Sequence, residues 1–367
     1  MNSKIKWIVG VVIVVIIIIL IARSKGTQNN QVLKIGAILP ITGPVASSGE
    51  FSKNGVDMAV EDLAKEGTKI DIVYADYQYD SKLALSAYNK LRDVDRVNGL
   101  LTFGSPSAIP LSPLVNAAHI PLLSLVAGTD YSSPDDYTYR MMGSAKMDAQ
   151  AAFDVLVNKF GKKKIAVIYL TNDYGVGALN ELKRLVNSGA SVVFEEGVPT
   201  TAADFRSQLA KAKLANPDAL FLPMIYKAAG VLVKQAREMG INVPVLCGQP
   251  CENPDYVTAA GASAEGTFVM APTSIDTSGF GARYLARFGK APSYITLRSY
   301  DSVKIYAYIG AKCQTSNYSG ECMKSELGKI HDFPGLSYPI NFDKNGDIQD
   351  RYSVKIIKDG KFTPYNL

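Results

Sequence analysis

The chain has 367 residues, of which 47% are hydrophobic and 20% are charged, so its composition is that of a folded protein and argues against disorder. This length is enough for two domains. The formal net charge is only +5 and the basic residues are scattered, which argues against a nucleic-acid-binding surface.

The N-terminal segment is apolar over residues 7–22, with Lys4 and Lys6 before the run and Arg23 after it. This run is longer than the apolar part of an ordinary signal peptide, and no good cleavage site follows it. We therefore predict that residues 1–31 form a transmembrane anchor and a polar linker. The alternative is a cleaved signal peptide.

Strand and helix patterns alternate from Val32 to Ala271, with short links between them. Such alternation predicts parallel sheets that are covered by helices on both faces. The predicted strands are residues 32–39, 70–75, 99–103, 120–126, 137–142, 164–170, 191–197, 219–224, 243–247 and 266–271. The predicted helices are residues 51–65, 81–92, 110–118, 148–160, 177–188, 205–214, 228–239 and 254–260.

After Ser274 three helices follow without strands, over residues 279–289, 300–312 and 322–329, and we expect them to cover the first lobe. A hairpin of residues 337–342 and 353–358 is then predicted around Asp343–Asp347. The predicted fold class is α/β, with two Rossmann-like doubly wound lobes, a three-strand hinge and an N-terminal transmembrane helix. The predicted domains are an anchor at 1–31, a first lobe at 32–145 plus 275–337, and a second lobe at 146–274 plus 338–367.

The stretch from Asn98 to Asp130 reads as a β-α-β unit whose two strands end in small, hydroxyl-bearing turns. These turns are residues 104–107 and residues 127–129. In a parallel sheet both turns lie at the same edge, beside a helix N-terminus, where a ligand can bind. The alternative is an ordinary crossover that uses glycine and serine only for turn geometry.

The four cysteines form two close pairs, Cys247 with Cys251 and Cys313 with Cys322. An even number of cysteines in local pairs predicts two disulfides and an oxidising, extracytoplasmic compartment. A zinc site is the alternative, but the spacing within each pair differs from that of zinc knuckles and no histidine is near.

Catalytic motifs are absent from this sequence. Of the two histidines, His119 lies between a helix and a strand, where packing or capping is the expected role. No nucleophile elbow, phosphate loop or complete dinucleotide fingerprint occurs. The run Asp343–Asp347 is similar to a calcium loop, but its glycine is misplaced, so we predict a β-turn. We therefore predict a protein that is not an enzyme and that needs no metal or cofactor.

Several runs of this sequence resemble one family in the same order along the chain. They are residues 35–44, 54–56, 76–80, 104–107, 120–124, 172–177, 204–205, 235–237 and 264–266. Together they resemble the branched-chain amino-acid-binding proteins, which are periplasmic binding proteins of type I and substrate receptors of ABC importers. The resemblance implies two Rossmann-like lobes that close on a ligand.

The resemblance also implies roles for individual residues. Ser105 would bind the α-carboxylate of the ligand, and the carbonyl of Ala127 would accept from its ammonium group. Thr129 would contact both groups. Tyr174 and Tyr226 would close over the ligand from the second lobe.

Two positions depart from the family pattern. Gln249 stands where amino-acid receptors have a glutamate for the ammonium group, and Glu252 is close by. If Gln249 faces the ligand, the site favours an amide, a urea-like or a non-zwitterionic ligand; if Glu252 reaches the ligand, amino-acid binding is retained. Ser48 stands where some relatives place an aromatic ring, which implies a roomier pocket.

The resemblance therefore implies an extracytoplasmic receptor, which the N-terminal helix predicted from the apolar run would anchor to the cytoplasmic membrane. Its expected partners are ABC permease subunits and a small ligand, which would be a branched-chain amino acid, another amino acid or an amide. The alternative is an extracellular ligand-sensing domain that acts with a separate signalling partner.

Overall fold

The computed structural model describes residues 32–128, 131–186, 189–272, 279–349 and 352–366. The predicted membrane anchor at residues 1–31 lies outside the described residues, and so does Thr129. Among the described helices, none has both the length and the apolar composition that crossing a bilayer requires.

Strands and helices alternate along most of the chain, as the hydrophobic pattern predicts. The strands are β1 (Leu33–Leu39), β2 (Ile70–Asp76), β3 (Gly99–Phe103), β4 (Leu122–Leu125), β5 (Thr138–Arg140), β6 (Lys164–Leu170), β7 (Ser191–Val198), β8 (Ala219–Leu222), β9 (Val245–Cys247), β10 (Phe268–Pro272), β11 (Phe333–Pro334), β12 (Pro339–Ile340), β13 (Tyr352–Lys358) and β14 (Lys361–Tyr365). The helices are α1 (Ala46–Lys65), α2 (Ser81–Lys90), α3 (Ser105–Ala118), α4 (Ala145–Ala152), α5 (Asp173–Leu185), α6 (Arg206–Leu214), α7 (Tyr226–Glu238), α8 (Pro254–Ala260), α9 (Phe280–Phe288), α10 (Tyr294–Cys313) and α11 (Gly320–Leu327).

Two main sheets form the two lobes. The first sheet is parallel throughout, with the strand order β2-β1-β3-β4-β5. The second sheet has the order β14-β13-β10-β9-β8-β6-β7 and is parallel except where β13 pairs with β10 and β14. Strands β3, β4, β8 and β9 are buried along their whole length, because helices cover both faces of a parallel sheet. The predicted α/β class with parallel sheets is thus confirmed.

The helices after β10 return to the first sheet. Helix α10 packs along α1 and also contacts β3 and β4. Its Tyr306 hydroxyl is buried between those strands, where it accepts from the N–H of Leu100 at 3.1 Å. It also lies 2.6 Å from the carbonyl oxygen of Leu100, to which it donates. A polar anchor of this kind explains how a helix distant in sequence is fixed against the middle of the sheet.

The predicted hairpin of residues 337–342 and 353–358 is wrong. Strand β13 instead pairs with β14 across the tight turn at Asp359–Gly360, and the short strand β12 pairs with β11. The run Asp343–Asp347 does form a turn, which Asp343 stabilises by accepting the N–H groups of Asn345 and Asp347 at 2.8 and 2.9 Å. It joins the short pairing of Phe342 with Ile348, not two long strands.

The β-α-β unit predicted at residues 98–130 is present, but its helix starts earlier than the sequence pattern indicated. Helix α3 begins at Ser105 and contains Pro110 and Pro113. Prolines inside a helix remove backbone donors, which is why the pattern predicted a start at Pro110. Packing of α3 between the sheet and α2 overrides that local preference.

Both predicted disulfides are present. Cys313 at the end of α10 is joined to Cys322 in α11, with 5.8 Å between their Cα atoms. Cys247 at the end of β9 is joined to Cys251, with 6.0 Å between the Cα atoms. The Cys247–Cys251 disulfide closes a loop of the second lobe, and this loop faces the first lobe.

Candidate ligand-binding cleft

A small cavity of about 30 Å³ lies between the two lobes. Aromatic, aliphatic and hydroxyl-bearing side chains from both lobes line it. They are Val45, Ser48, Tyr79, Phe103, Gly104, Ser105, Leu125, Ala127, Met142, Tyr174, Ile225, Tyr226, Pro250, Tyr294 and Ile295. Within the described part of the chain no charged side chain lines this cavity. Five of the predicted ligand-binding residues therefore meet at one place: Ser48, Ser105, Ala127, Tyr174 and Tyr226.

Ser105 is the first residue of α3 and is almost completely buried. Gly104 before it has φ 95°, and a Cβ atom there would lie 2.8 Å from the Tyr77 hydroxyl oxygen. That hydroxyl donates to the carbonyl of Phe103 at 2.5 Å. Only glycine fits this turn, which directs the N-terminus of α3 at the cavity. Helix N-termini carry partial positive charge and suit an anion such as a carboxylate.

A buried arginine holds the loop that follows β4. The Arg140 Nη1 group donates to the carbonyl of Val126 at 3.0 Å and also to that of Gly128. Its Nε group donates to Asp347 Oδ1 at 2.8 Å. The carbonyl of Ala127, between these two positions, accepts from the N–H of Ala145 at 2.6 Å. The backbone of this side of the cavity is therefore fixed before any ligand binds.

A three-part hydrogen-bond network stands on the opposite side. The Tyr174 hydroxyl donates to Asp148 Oδ2 at 2.5 Å. The backbone N–H of Gln249 lies 3.1 Å from both carboxylate oxygens of Asp148. Tyr174 lies in the first turn of α5, Asp148 lies in α4, and Gln249 follows β9. The network thus ties three second-lobe elements together at the cleft.

Burial controls the titration of this network. It raises the pKa of Asp148 to about 7, although the hydrogen bonds from Tyr174 and Gln249 oppose the shift. Burial also raises the pKa of the Tyr174 phenol well above its ordinary value, and the Asp148 carboxylate adds to that shift. Near neutral pH, Tyr174 is therefore protonated while Asp148 is divided between its two forms.

Tyr226 is the first residue of α7 and lies beside Ser48 in the cavity wall. Within the described residues its buried hydroxyl has no partner at hydrogen-bond geometry. Burial raises the pKa of this phenol, and the nearby Ser48 opposes the shift. A buried hydroxyl in this state is available to a ligand.

Gln249 and Glu252 do not line the cavity. The Gln249 side chain is buried beside Gly143, where a Cβ atom would lie 3.5 Å from its Nε2. Glu252 forms an ion pair with Lys355 and lines a separate open groove of about 480 Å³. Burial raises the pKa of Glu252, and Lys355 opposes that shift. Neither side chain is part of the cavity wall to which Ser105 and Tyr174 belong.

Three further residues of the site were not singled out from the sequence. Tyr79 and Tyr294 line the cavity, and Asp148 supports it from behind Tyr174. Tyr79 has φ 63°, in a turn where the carboxylate of Asp76 accepts the N–H of Gln78 at 3.0 Å. Two signals were available: its place shortly after β2, because ligands in α/β folds lie beyond the carboxyl ends of strands, and its position in the run 76–80 that resembles the family.

Val45 connects the lobes directly. It precedes α1 in the first lobe, yet it is completely buried in the hydrophobic cluster of the second lobe, with Ile225, Tyr226 and Cys251. A second, weaker contact joins Asn253 Nδ2 to Ser47 Oγ at 3.5 Å. The two lobes are therefore in direct contact in this structure.

The chain matches the family described as periplasmic binding protein over residues 32–361. Leu/Ile/Val-binding protein homolog 3 of Brucella melitensis is 29% identical over 244 residues, which are 64% of this chain and 66% of that protein. An amino acid binding protein of Pseudomonas aeruginosa is 28% identical over 335 residues, which are 86% of this chain and 87% of that protein.

Solved structures share the same fold. The branched-chain amino acid transporter substrate binding protein LivJ of Streptococcus pneumoniae, in complex with isoleucine, has a TM-score of 0.82 and 23% identity. The match covers 91% of this chain and 99% of that one. A solute binding protein of an ABC transporter of Rhodopseudomonas palustris, in complex with 3,4-dihydroxy benzoic acid, has a TM-score of 0.80 and 22% identity. That match covers 91% of this chain and 96% of the other.

Proposed function

This chain belongs to the periplasmic binding protein family, and we propose that it acts as an extracytoplasmic solute receptor for an ABC importer. The observation that carries the proposal is the cavity between the lobes, which side chains of both lobes line. A site built from both lobes can enclose a small molecule only when the lobes meet. The closed arrangement can therefore signal that the receptor is loaded. The homologues are binding proteins, which supports a role without catalysis.

The proposed ligand is an amino acid with an apolar side chain. The N-terminus of α3, with Ser105, suits a carboxylate. Phe103, Leu125 and Ile295 give the cavity apolar walls, which suit a branched aliphatic group. Relatives named for leucine, isoleucine and valine or for amino acids support the same class. Glu252 is not included in the proposed site, because it faces Lys355.

Lobe opening is part of the proposed mechanism. A volume of about 30 Å³ holds roughly two water molecules, so a larger solute enters only after the lobes separate. The ligand would first bind Ser105 and the loop that Arg140 supports. The second lobe, with Tyr174 and Tyr226, would then close over it, and the permease subunits would recognise the closed form.

A ligand screen tests the proposed function. Thermal unfolding of the purified chain should be measured with each of the twenty amino acids, their amides and substituted benzoates. A true ligand at 100 times its Kd stabilises the folded state by about 2.7 kcal/mol, which raises the melting temperature by several degrees. Titration calorimetry then gives the affinity. A chain that no amino acid stabilises would contradict the proposed ligand class.

Ser105→Ala should weaken amino-acid binding without unfolding the protein. The hydroxyl is proposed to donate to the ligand carboxylate, and hydrogen bonds to charged groups contribute about 1.5–3 kcal/mol. We expect a roughly 10- to 100-fold higher Kd by calorimetry. The matched control is Ser112→Ala on the same helix, outside the cavity lining, which should leave the Kd unchanged. Equal affinities for Ser105→Ala and the wild type would remove Ser105 from the site.

Val45→Ala should weaken ligand binding by opposing closure. The change removes two buried methyl-group equivalents from the contact between the lobes, at a cost of about 1–2 kcal/mol. We expect a Kd roughly 5- to 30-fold higher, because the substitution destabilises the closed state alone. The control is Val115→Ala, an equally buried valine inside the first lobe, which should lower the melting temperature and leave the Kd unchanged. An unchanged Kd in Val45→Ala would argue against a closure step.

A further inference from the structure

Asp148 is a completely buried carboxylate that the proposed binding mechanism does not yet use. It lies behind the cavity wall and accepts hydrogen bonds from the Tyr174 hydroxyl and from the backbone N–H of Gln249. Burying an ionisable group costs folding free energy. A cost of this kind at the wall of a binding cavity indicates a functional role.

The direction of the hydrogen bond determines what Tyr174 can offer a ligand. A phenol has one proton to donate, and Tyr174 donates it to Asp148 Oδ2 at 2.5 Å. Its oxygen therefore has only lone pairs left for the cavity. The hydrogen bond to a carboxylate also increases the negative charge on that oxygen. When Asp148 is ionised, Tyr174 can accept a hydrogen bond from a ligand but cannot donate one.

We propose that Asp148 is a positioning residue that commits Tyr174 to accept from the ligand's amino group, so that the site prefers an ammonium-bearing ligand to its des-amino analogue. The inference rests on the proposed function. It places a negative charge behind a cavity whose described lining has none, because Gln249 is neutral and Glu252 pairs with Lys355 elsewhere. The carboxylate acts through Tyr174 and does not touch the ligand.

The other titratable groups around α4 are engaged elsewhere. On α5, Glu181 pairs with Arg184, and Lys146 of α4 acts on Glu181. On β13, Tyr352 donates to Asp154 at 2.5 Å, and Lys355 pairs with Glu252. Residues 268–271 of β10 contain no titratable side chain. The groups that act on Asp148 are therefore Tyr174 and the Gln249 N–H.

A pH dependence with a definite sign follows. Only the ionised form of Asp148 commits Tyr174 as an acceptor, and a pKa of about 7 leaves roughly nine tenths ionised at pH 8 and one tenth at pH 6. The amino and carboxyl groups of free leucine stay charged over this range. The affinity for leucine should therefore fall about tenfold from pH 8 to pH 6. A des-amino ligand should show no such fall.

The test is calorimetry of L-leucine and 4-methylpentanoate with the purified full chain at pH 6, 7 and 8. In Asp148→Asn we expect leucine to bind about 10- to 100-fold more weakly at pH 8, with a flat pH profile. The affinity for 4-methylpentanoate should be unchanged. Tyr174→Phe should behave similarly, and the double variant should lose no more than either single one.

Asp154→Asn is the matched control, because Asp154 also accepts from a tyrosine hydroxyl at 2.5 Å but lies outside the cavity lining. It should keep the wild-type affinities and pH profile. The melting temperature of each variant shows whether it is folded. If the wild type binds leucine and Asp148→Asn keeps the wild-type affinity and pH profile, the inference about Asp148 is overturned while the proposed function stands. If the wild type binds no amino acid, the proposed function fails and the inference fails with it.

Discussion

Arg140→Met is expected to lower the free energy of unfolding by about 3–5 kcal/mol, the largest stability loss among the substitutions considered. Arg140 is almost completely buried and donates to Asp347 Oδ1 at 2.8 Å and to the carbonyl of Val126 at 3.0 Å. Methionine leaves the carbonyls of Val126 and Gly128 without this donor, and a buried unpaired acceptor is costly; Asp347 Oδ1 still accepts from the Ser132 hydroxyl at 2.6 Å. Urea denaturation followed by circular dichroism measures the loss.

The same substitution should also weaken ligand binding, because Arg140 supports the loop that carries Ala127. The control is Arg287→Met, which breaks an exposed ion pair with Glu61 and should cost less than about 1 kcal/mol. Arg140→Lys should not restore stability, since lysine lacks the planar set of donors. A loss below about 1 kcal/mol in Arg140→Met would show that the loop is held by other contacts.

Gly248→Ala is expected to raise the Kd for an amino-acid ligand by about 10- to 100-fold. A Cβ atom at this position would lie 2.0 Å from the Tyr174 hydroxyl oxygen and 2.6 Å from Asp148 Oδ2. A carbon atom cannot lie this close to a non-bonded oxygen, so Tyr174 must move away from its carboxylate partner. Overpacking of this kind costs about 1–3 kcal/mol, and here the cost falls on the cavity wall. Calorimetry measures the Kd, and thermal unfolding measures the accompanying loss of stability.

The cause of the expected effect is packing and not backbone strain, because Gly248 has φ −66°, which any residue adopts. Gly328→Ala is therefore a suitable control: its φ is −64° and a Cβ atom there meets nothing closer than 3.7 Å. That variant should keep the wild-type Kd and melting temperature. A wild-type Kd in Gly248→Ala would mean that the Tyr174–Asp148 contact is not needed for binding.

The candidate site was only partly predictable from the sequence. Ser105 and Ala127 follow consecutive parallel strands, and their convergence is a rule of the fold. The directions of Gln249 and Glu252 followed no such rule. Both lie in one short loop, and the partners that orient them, Asp148 and Lys355, are about a hundred residues away in the chain.

Three further residues belong to the site although the sequence did not single them out: Tyr79, Tyr294 and Asp148. Each joins the site through contacts between elements that are distant in sequence, and neither Tyr294 nor Asp148 carries a local pattern that distinguishes it from a packing residue. The predicted hairpin failed for a related reason. Strand pairing depends on which neighbours are available, and β10 and β14 compete for β13 more effectively than residues 337–342 do.

The sequence by itself determined the alternation of strands and helices, the parallel sheets, the two disulfides and the turn that presents Ser105. These features depend on local hydrophobic periodicity, chain direction and short spacings, which are readable along the chain. Only the tertiary structure decided that Val45 enters the second lobe, that Glu252 turns away from the cleft and that Asp148 stands behind Tyr174. Those outcomes depend on burial and on hydrogen-bond partners from separate elements, which exist only after the elements have packed.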